Sequence, residues 1–229
     1  MSEGAIFLNS GPLFNAERLE TIEDVTEWGE LGDDVRVAYT MIREAFEKHA
    51  TLLAGNPSVE ETRFYMINPT LYALNFSHSV AESVSLGDDQ VVRVDYTCFA
   101  NANDFYEAEP ARGSLGFFRP AITIVGAEAW GSSFDEAPDD GDEPAVLPAQ
   151  RLDVLLRTTG RDYGILSNGC DWRLYHRATS SQNSTFFQAD MIAAMKSEFE
   201  DFKRFYLLFN RDAFIRDDTG MCFLDRLLQ

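Results

Sequence analysis

The stretch AITIVGAEAWGSSFDE, residues 121–136, carries the first candidate chemistry of the chain. An apolar run from Ala121 to Val125, interrupted by a single threonine, ends at Gly126, Glu128, Trp130 and Gly131. Such a run reads as a strand buried on both faces, and chain segments leaving the middle of a sheet often carry binding or catalytic groups. Glu128 lies two residues beyond Gly126, and therefore on the same strand face. The alternating segment VVRVDYTCF, residues 91–99, places Arg93, Asp95 and Thr97 together on one face of a second strand. There Arg93 is expected to pair with Asp95. No lysine occurs between Lys48 and Lys196, so a base near these acids would have to be an arginine, which stays protonated.

A second candidate is cationic. Arg151, Arg157 and Arg161 fall along and just after one helix, and Arg173 and Arg177 fall in and after a hairpin. Together they could meet a DNA backbone. The competing assignment pairs them with Asp153, Asp162 and Asp171. Two other groups are weaker. DEAPDDGDEP, residues 135–144, holds six carboxylates but lacks the spacing of an EF-hand loop, and reads as a solvated loop. His49 sits near an apolar helix face and reads as a packed or rim histidine.

The elements that must position these groups follow from periodicity. Residues 33–53 place Val37, Ala38, Met41, Ile42, Ala45 and Phe46 at helical spacing, closed by Gly55-Asn56-Pro57. Ser58 to Glu61 matches a capping box for a helix running to about Asn75, kinked or split at Pro69. Residues 148–159 form a helix that starts at a proline and ends at Gly160. Residues 163–176 read as two strands around Asn168-Gly169, with 184–189 as a further strand beside them. Ser197 to Glu200 reads as another capping box, and Ile192, Met195, Phe199, Phe202, Tyr206 and Phe209 form a core stripe. The expected architecture is α/β: a mixed central sheet with flanking helices and helical N- and C-terminal additions. Residues 1–57 form an N-terminal helical segment, 58–190 the α/β core and 191–229 a C-terminal helical segment, in one compact domain.

Charge narrows the partners. There are 38 acidic and 19 basic residues, a net charge of −19, and only three of the bases are lysines. A surface of that sign repels phosphate backbones, which argues against simple nucleic-acid binding by the whole surface. It fits a halophilic protein of a salt-loaded cytoplasm, where screening removes self-repulsion, an ordinary acidic protein, or an acidic mimic of DNA. No apolar stretch reaches the roughly 18 residues of a membrane span. Three widely spaced cysteines without a CxxC argue against zinc and a disulfide framework, and the N-terminus lacks a secretory pattern, so a cytoplasmic location is expected.

The order of helix with Glu61, strand with Asp95, buried strand 121–128, helix with Gln150, and Ser-Asn-Gly hairpin resembles the PD-(D/E)XK, restriction-endonuclease-like core. The form it resembles stands at the N-terminus of type IIG restriction-modification enzymes and of BREX-type phage-defence DNA methyltransferases. RDYGILSNGCDWRLYH, residues 161–176, is the most specific segment of the resemblance. ETRFYMINPTLYALNF (61–76), VDYTCF (94–99), AEAWGSSFD (127–135), PAQRLDVLLRTTG (148–160) and FYLLFNRDAF (205–214) support it.

The resemblance implies that an aspartate and a glutamate hold Mg²⁺ while a lysine helps activate water. The aspartate carries over to Asp95. Registered on Trp130-Gly131, the glutamate and lysine positions are Gly126 and Glu128, so the nuclease motif is degenerate and Glu61, Asp95, Gly126, Glu128 and Gln150 are vestigial. Mg²⁺ enters only if Asp95 and Glu128 rebuild the site. An S-adenosylmethionine-dependent methyltransferase is implied after this region, as a downstream domain or subunit, since this chain has no Asn-Pro-Pro-Tyr motif. The expected role is an inactive scaffold or DNA-contact module of a DNA-modifying protein. The alternatives are an active nuclease with a rearranged metal site and a free-standing acidic DNA mimic or accessory protein.

Overall fold

The computed structural model describes residues 5–87, 90–137 and 146–228. Seven strands form one mixed, open sheet: β1 (Phe7–Ser10), β2 (Ser77–Gly87), β3 (Gln90–Phe99), β4 (Ala121–Ala127), β5 (Tyr163–Ser167), β6 (Asp171–His176) and β7 (Phe186–Asp190). Their order is β1-β7-β6-β5-β4-β3-β2. Only β4 and β5 run parallel. The helices are α1 (Ala16–Glu20), α2 (Thr26–Glu30), α3 (Asp34–Leu53), α4 (Val59–Thr62), α5 (Asn68–Ala73), α6 (Ala102–Ala108), α7 (Pro148–Thr159), α8 (Met191–Lys196), α9 (Phe199–Phe209) and α10 (Phe223–Leu228). None of the described helices is long and apolar enough to cross a membrane.

The sheet is covered on both faces, and the sequence shows why. Successive strand residues point to opposite sides. Val125, Ile165, Leu174 and Phe187 join the core under α3, α5, α8, α9 and α10, while Ile124, Leu166, Tyr175 and Phe186 join the core under α6 and α7. Strands apolar at consecutive positions are those buried on both sides. Residues 91–99 and 121–127 are neighbours as expected, with Tyr96 opposite Val125, and α7 is the crossover between β4 and its parallel neighbour β5. Gly160 closes α7 in the left-handed region, φ +70°.

Several local readings are corrected. The N-terminal segment opens with β1, which pairs with β7 at one edge of the sheet, and β2 forms the other edge. Ser197 does not cap α9: the helix starts after Glu198 without a side-chain cap, and the Ser197 hydroxyl donates to Asp201 instead (2.6 Å). Asn168-Gly169 is not the central pair of its turn. Asn168 N–H donates to Asp171 O (3.3 Å), so Gly169 and Cys170 are central, and only Gly169 has positive φ, +85°. That is the II′ arrangement, which needs glycine first. The stripe Phe202, Tyr206 and Phe209 is core, as its spacing implied. Of the carboxylate run 135–144, residues 138–144 lie outside the described residues.

Residues 17–34 carry eight carboxylates and one arginine. Glu23 and Glu27 reach Arg204 and Arg226, while Glu17, Glu20, Glu30 and Asp33 stand exposed. At about 0.01 M ionic strength these groups repel over about 30 Å, and at about 1 M over only about 3 Å. We therefore expect the melting temperature to rise markedly from low to molar KCl. A flat or falling curve in calorimetry would mark an ordinary acidic protein rather than a salt-adapted one.

Candidate functional site

The end of β4 is the centre of the candidate site. β4 sits between antiparallel β3 and parallel β5, with Gly126 opposite Leu166. A Cβ on Gly126 would lie 2.7 Å from Leu166 Cδ2, so the leucine fills the space a side chain at 126 would use. Beside it a cleft of about 510 Å³ opens between β3 and α7, lined among others by Asp95, Gly126, Glu128, Gln150 and Arg151. Four of the five vestigial positions, Asp95, Gly126, Glu128 and Gln150, thus meet in one place. Glu61 does not line this cleft. Its carboxylate accepts the Ser58 N–H (2.8 Å), and Ser58 Oγ accepts the Glu61 N–H (3.2 Å), which is the capping box expected at the start of α4.

Each cleft carboxylate already has a cation. Asp95 Oδ1 accepts from the Arg63 guanidinium and Oδ2 accepts the Ala127 N–H (2.9 Å). The partner is Arg63 and not Arg93, whose side chain is exposed. Arg63 opens a π turn, Arg63–Ile67, set between α4 and α5. Pro69 accounts for that turn: it has no N–H for the carbonyl of Tyr65 and its ring crowds that carbonyl, so the helix widens before it. Glu128, 7 % exposed, is paired with Arg151 on α7. Gln150 Oε1 accepts the Leu147 N–H (3.3 Å) at the start of the same helix.

Among the described residues no group of three histidine, cysteine or acidic side chains is placed to hold a metal ion. Two carboxylates that each face a guanidinium are a poor donor set for Mg²⁺, which demands near-octahedral oxygen ligation. The residues present do not fit the metal implied by the resemblance.

The neighbouring turn residues hold the fold together here. The Thr62 hydroxyl accepts the Trp130 N–H (2.8 Å) and donates to Ser58 O (2.9 Å), which ties α4 to the exit of β4. Trp130 stacks on Phe46 of α3 at 6.1 Å. Asn168, almost fully buried, accepts the Gly131 N–H (3.2 Å) with its carbonyl and donates through Nδ2 to Ser132 O (2.8 Å). The segments AEAWGSSFD and RDYGILSNGCDWRLYH are therefore in direct contact. Cys170, within this turn, has its thiol pushed well above the usual range by burial, the opposite of a nucleophile's requirement. His49 packs against the Tyr65 ring (4.4 Å), a rim histidine as expected.

The five arginines proposed for DNA contact are all engaged. Arg151 pairs with Glu128, Arg157 with Asp153 (3.0 Å) and Arg177 with Asp162 (2.6 Å). Arg161 is spent on backbone: it donates to the carbonyls of Ala121, Arg119 and Thr159, and burial draws its guanidinium below the usual value. Arg173 is buried, stacked over Phe186 at 3.9 Å, and bidentate to Asp135 (2.8 Å for both bonds). Its hydrogen bonds hold the Asp135 carboxyl below the usual range. Asp171, which the sequence offered as an arginine partner, instead accepts from Gln188 Nε2 (2.9 Å), and burial raises its carboxyl.

Arg63, Thr62 and Leu166 were not singled out in the sequence. Pro69 was the signal for Arg63, since it marks where the helix must deform. Comparison with family models, with curated proteins and with solved structures returned no significant match to this chain.

Proposed function

We propose that this chain is a catalytically silent, restriction-endonuclease-like domain that serves as a scaffold in a DNA-modifying, restriction-modification or phage-defence protein. The observation that carries the reading is the state of the cleft. Where the resemblance calls for two metal-binding acids and a lysine, Asp95 is held by Arg63 and the Ala127 N–H, Gly126 is overlaid by Leu166, and Glu128 is held by Arg151. Groups that would bind metal and activate water instead join the π turn and α7 to the sheet. Water activation needs a base where the resemblance has its lysine, and the cations in this place are arginines, which stay protonated, while both carboxylates are held as paired anions. DNA contact and S-adenosylmethionine chemistry belong, on this reading, to an associated methyltransferase.

The test is cleavage. Purified protein is expected to leave supercoiled and linear duplex DNA intact with Mg²⁺ or Mn²⁺ at millimolar concentration. Nicking that disappears in Asp95→Ala would show a rebuilt site and overturn the reading.

A second reading, an acidic accessory protein that occupies a DNA-binding partner, is favoured by the engagement of all five candidate arginines in a chain of net charge −19. Competition between this protein and duplex DNA for one basic DNA-binding enzyme separates the two readings, since a scaffold does not displace DNA.

A further inference from the structure

The cleft between β3 and α7 is walled by aliphatic side chains. Val91, Val154 and Val146 are 65 %, 54 % and 41 % exposed around its opening, and Leu166 is buried at its floor. Exposed β-branched side chains converging on one concavity are apolar surface left uncovered by the fold. The volume, about 510 Å³, falls within the roughly 300–1,000 Å³ of small-ligand sites.

The carboxylates inside it are already matched by cations. Asp95 is neutralised by Arg63 and Glu128 by Arg151. Arg93 also lines the cleft, exposed and without an ion pair to any described residue. Among the described residues that line the cleft, Arg93 and Arg151 face Asp95 and Glu128, and Arg63 reaches Asp95 from outside the lining, so Arg93 is the guanidinium there not committed to a carboxylate. An arginine fork matches a carboxylate in geometry and is weakly hydrated, so it can bind one beside an apolar wall.

We infer that this cleft binds a small amphipathic monoanion, an aliphatic chain ending in a carboxylate. The carboxylate sits on Arg93, and the chain lies along Val91 and Val154 towards Leu166. The inference does not rest on the resemblance to nucleases, since it uses only the charge and shape of the cleft.

Titration of the full chain with hexanoate, octanoate, decanoate and octylammonium, followed by calorimetry and methyl NMR, tests it. Affinity is expected to rise about fourfold per methylene, as burial of a CH₂ implies. Octanoate should bind better than octylammonium, with shifts at Val91, Val154 and Leu166. Arg93→Gln, at an exposed strand position, should weaken octanoate at least tenfold and abolish the preference over octylammonium. Val154→Asp should weaken the carboxylates whatever their length. Absence of saturable decanoate binding, equal affinity for octylammonium, shifts confined to another part of the molecule, or an unchanged affinity in Arg93→Gln would each overturn the inference. None of these outcomes bears on the cleavage assay.

Discussion

Gly169→Ala is expected to lower the free energy of unfolding by about 3 kcal/mol, from two separate costs. The first is conformational. Gly169 has φ +85°, where an L side chain crowds its own backbone at a cost of about 1 kcal/mol or more. The second is steric. A Cβ there would stand 2.6 Å from Trp130 Cε3 and 3.1 Å from Thr62 Cγ2. Trp130 cannot retreat freely, because its N–H is bonded to Thr62 and its ring stacks on Phe46. Overpacking of such a site costs about 1–3 kcal/mol. Gly160→Ala separates the two costs. It has φ +70° but no atom within 4 Å of the added Cβ, so it should lose only the conformational part, about 1 kcal/mol. Urea unfolding of both variants measures the difference. Equal losses would show that Trp130 yields without cost.

Arg63→Met should cost about 2–4 kcal/mol, because removing one partner of a largely buried pair leaves the other charge uncompensated. The Arg63 and Asp95 side chains are 13 % and 26 % exposed. Methionine keeps the packing volume, so the loss reports charge and hydrogen bonding rather than a cavity. Asp95→Asn retains an acceptor for the Ala127 N–H but strands the guanidinium, whose Nε already has no partner in the interior. The double variant is expected to lose clearly less than the sum of the two single variants, a coupling of about 1–3 kcal/mol. Arg151→Met is the comparison. Its guanidinium is nearly half exposed, so its loss should be smaller than that of Arg63, yet larger than the roughly 0–1 kcal/mol of a screened surface pair, because the Glu128 side chain it faces is only 10 % exposed. Additive losses at 63 and 95 would mean that the pair is incidental to the fold.

The parts of this structure that were legible in the sequence share one property: their residues carry the signal locally. The run 121–125 is apolar at every position but one, α7 begins with a proline and ends with a glycine, and the segment around Asn168-Gly169 turns because glycine permits it. Edge strands carry less. β1 has four residues, too few for any alternation to show, and it exists because β7 offers it hydrogen bonds. The cleft was legible as a set of residues, since Asp95, Gly126, Glu128 and Gln150 do meet. Its chemistry was not. Alternation pointed to Arg93 as the partner of Asp95, two residues away on the same face. The actual partner, Arg63, arrives from a helix 32 residues earlier. Which cation reaches a carboxylate depends on how a deformed helix docks, and that is a property of packing.

The contact between Gly126 and Leu166 also sets an order on future mutations. A larger residue at 126 meets Leu166 Cδ2 at once, and shortening Leu166 first would open a cavity in a core where that leucine is 2 % exposed. Leucine-to-alanine changes of this kind cost about 2–5 kcal/mol, a large part of the 5–15 kcal/mol that holds a typical domain folded. Neither single step is neutral, although the pair together can be. The two positions therefore form a ratchet: a lineage carrying glycine and leucine here is held away from any acidic residue at 126 unless both codons change within one interval of selection.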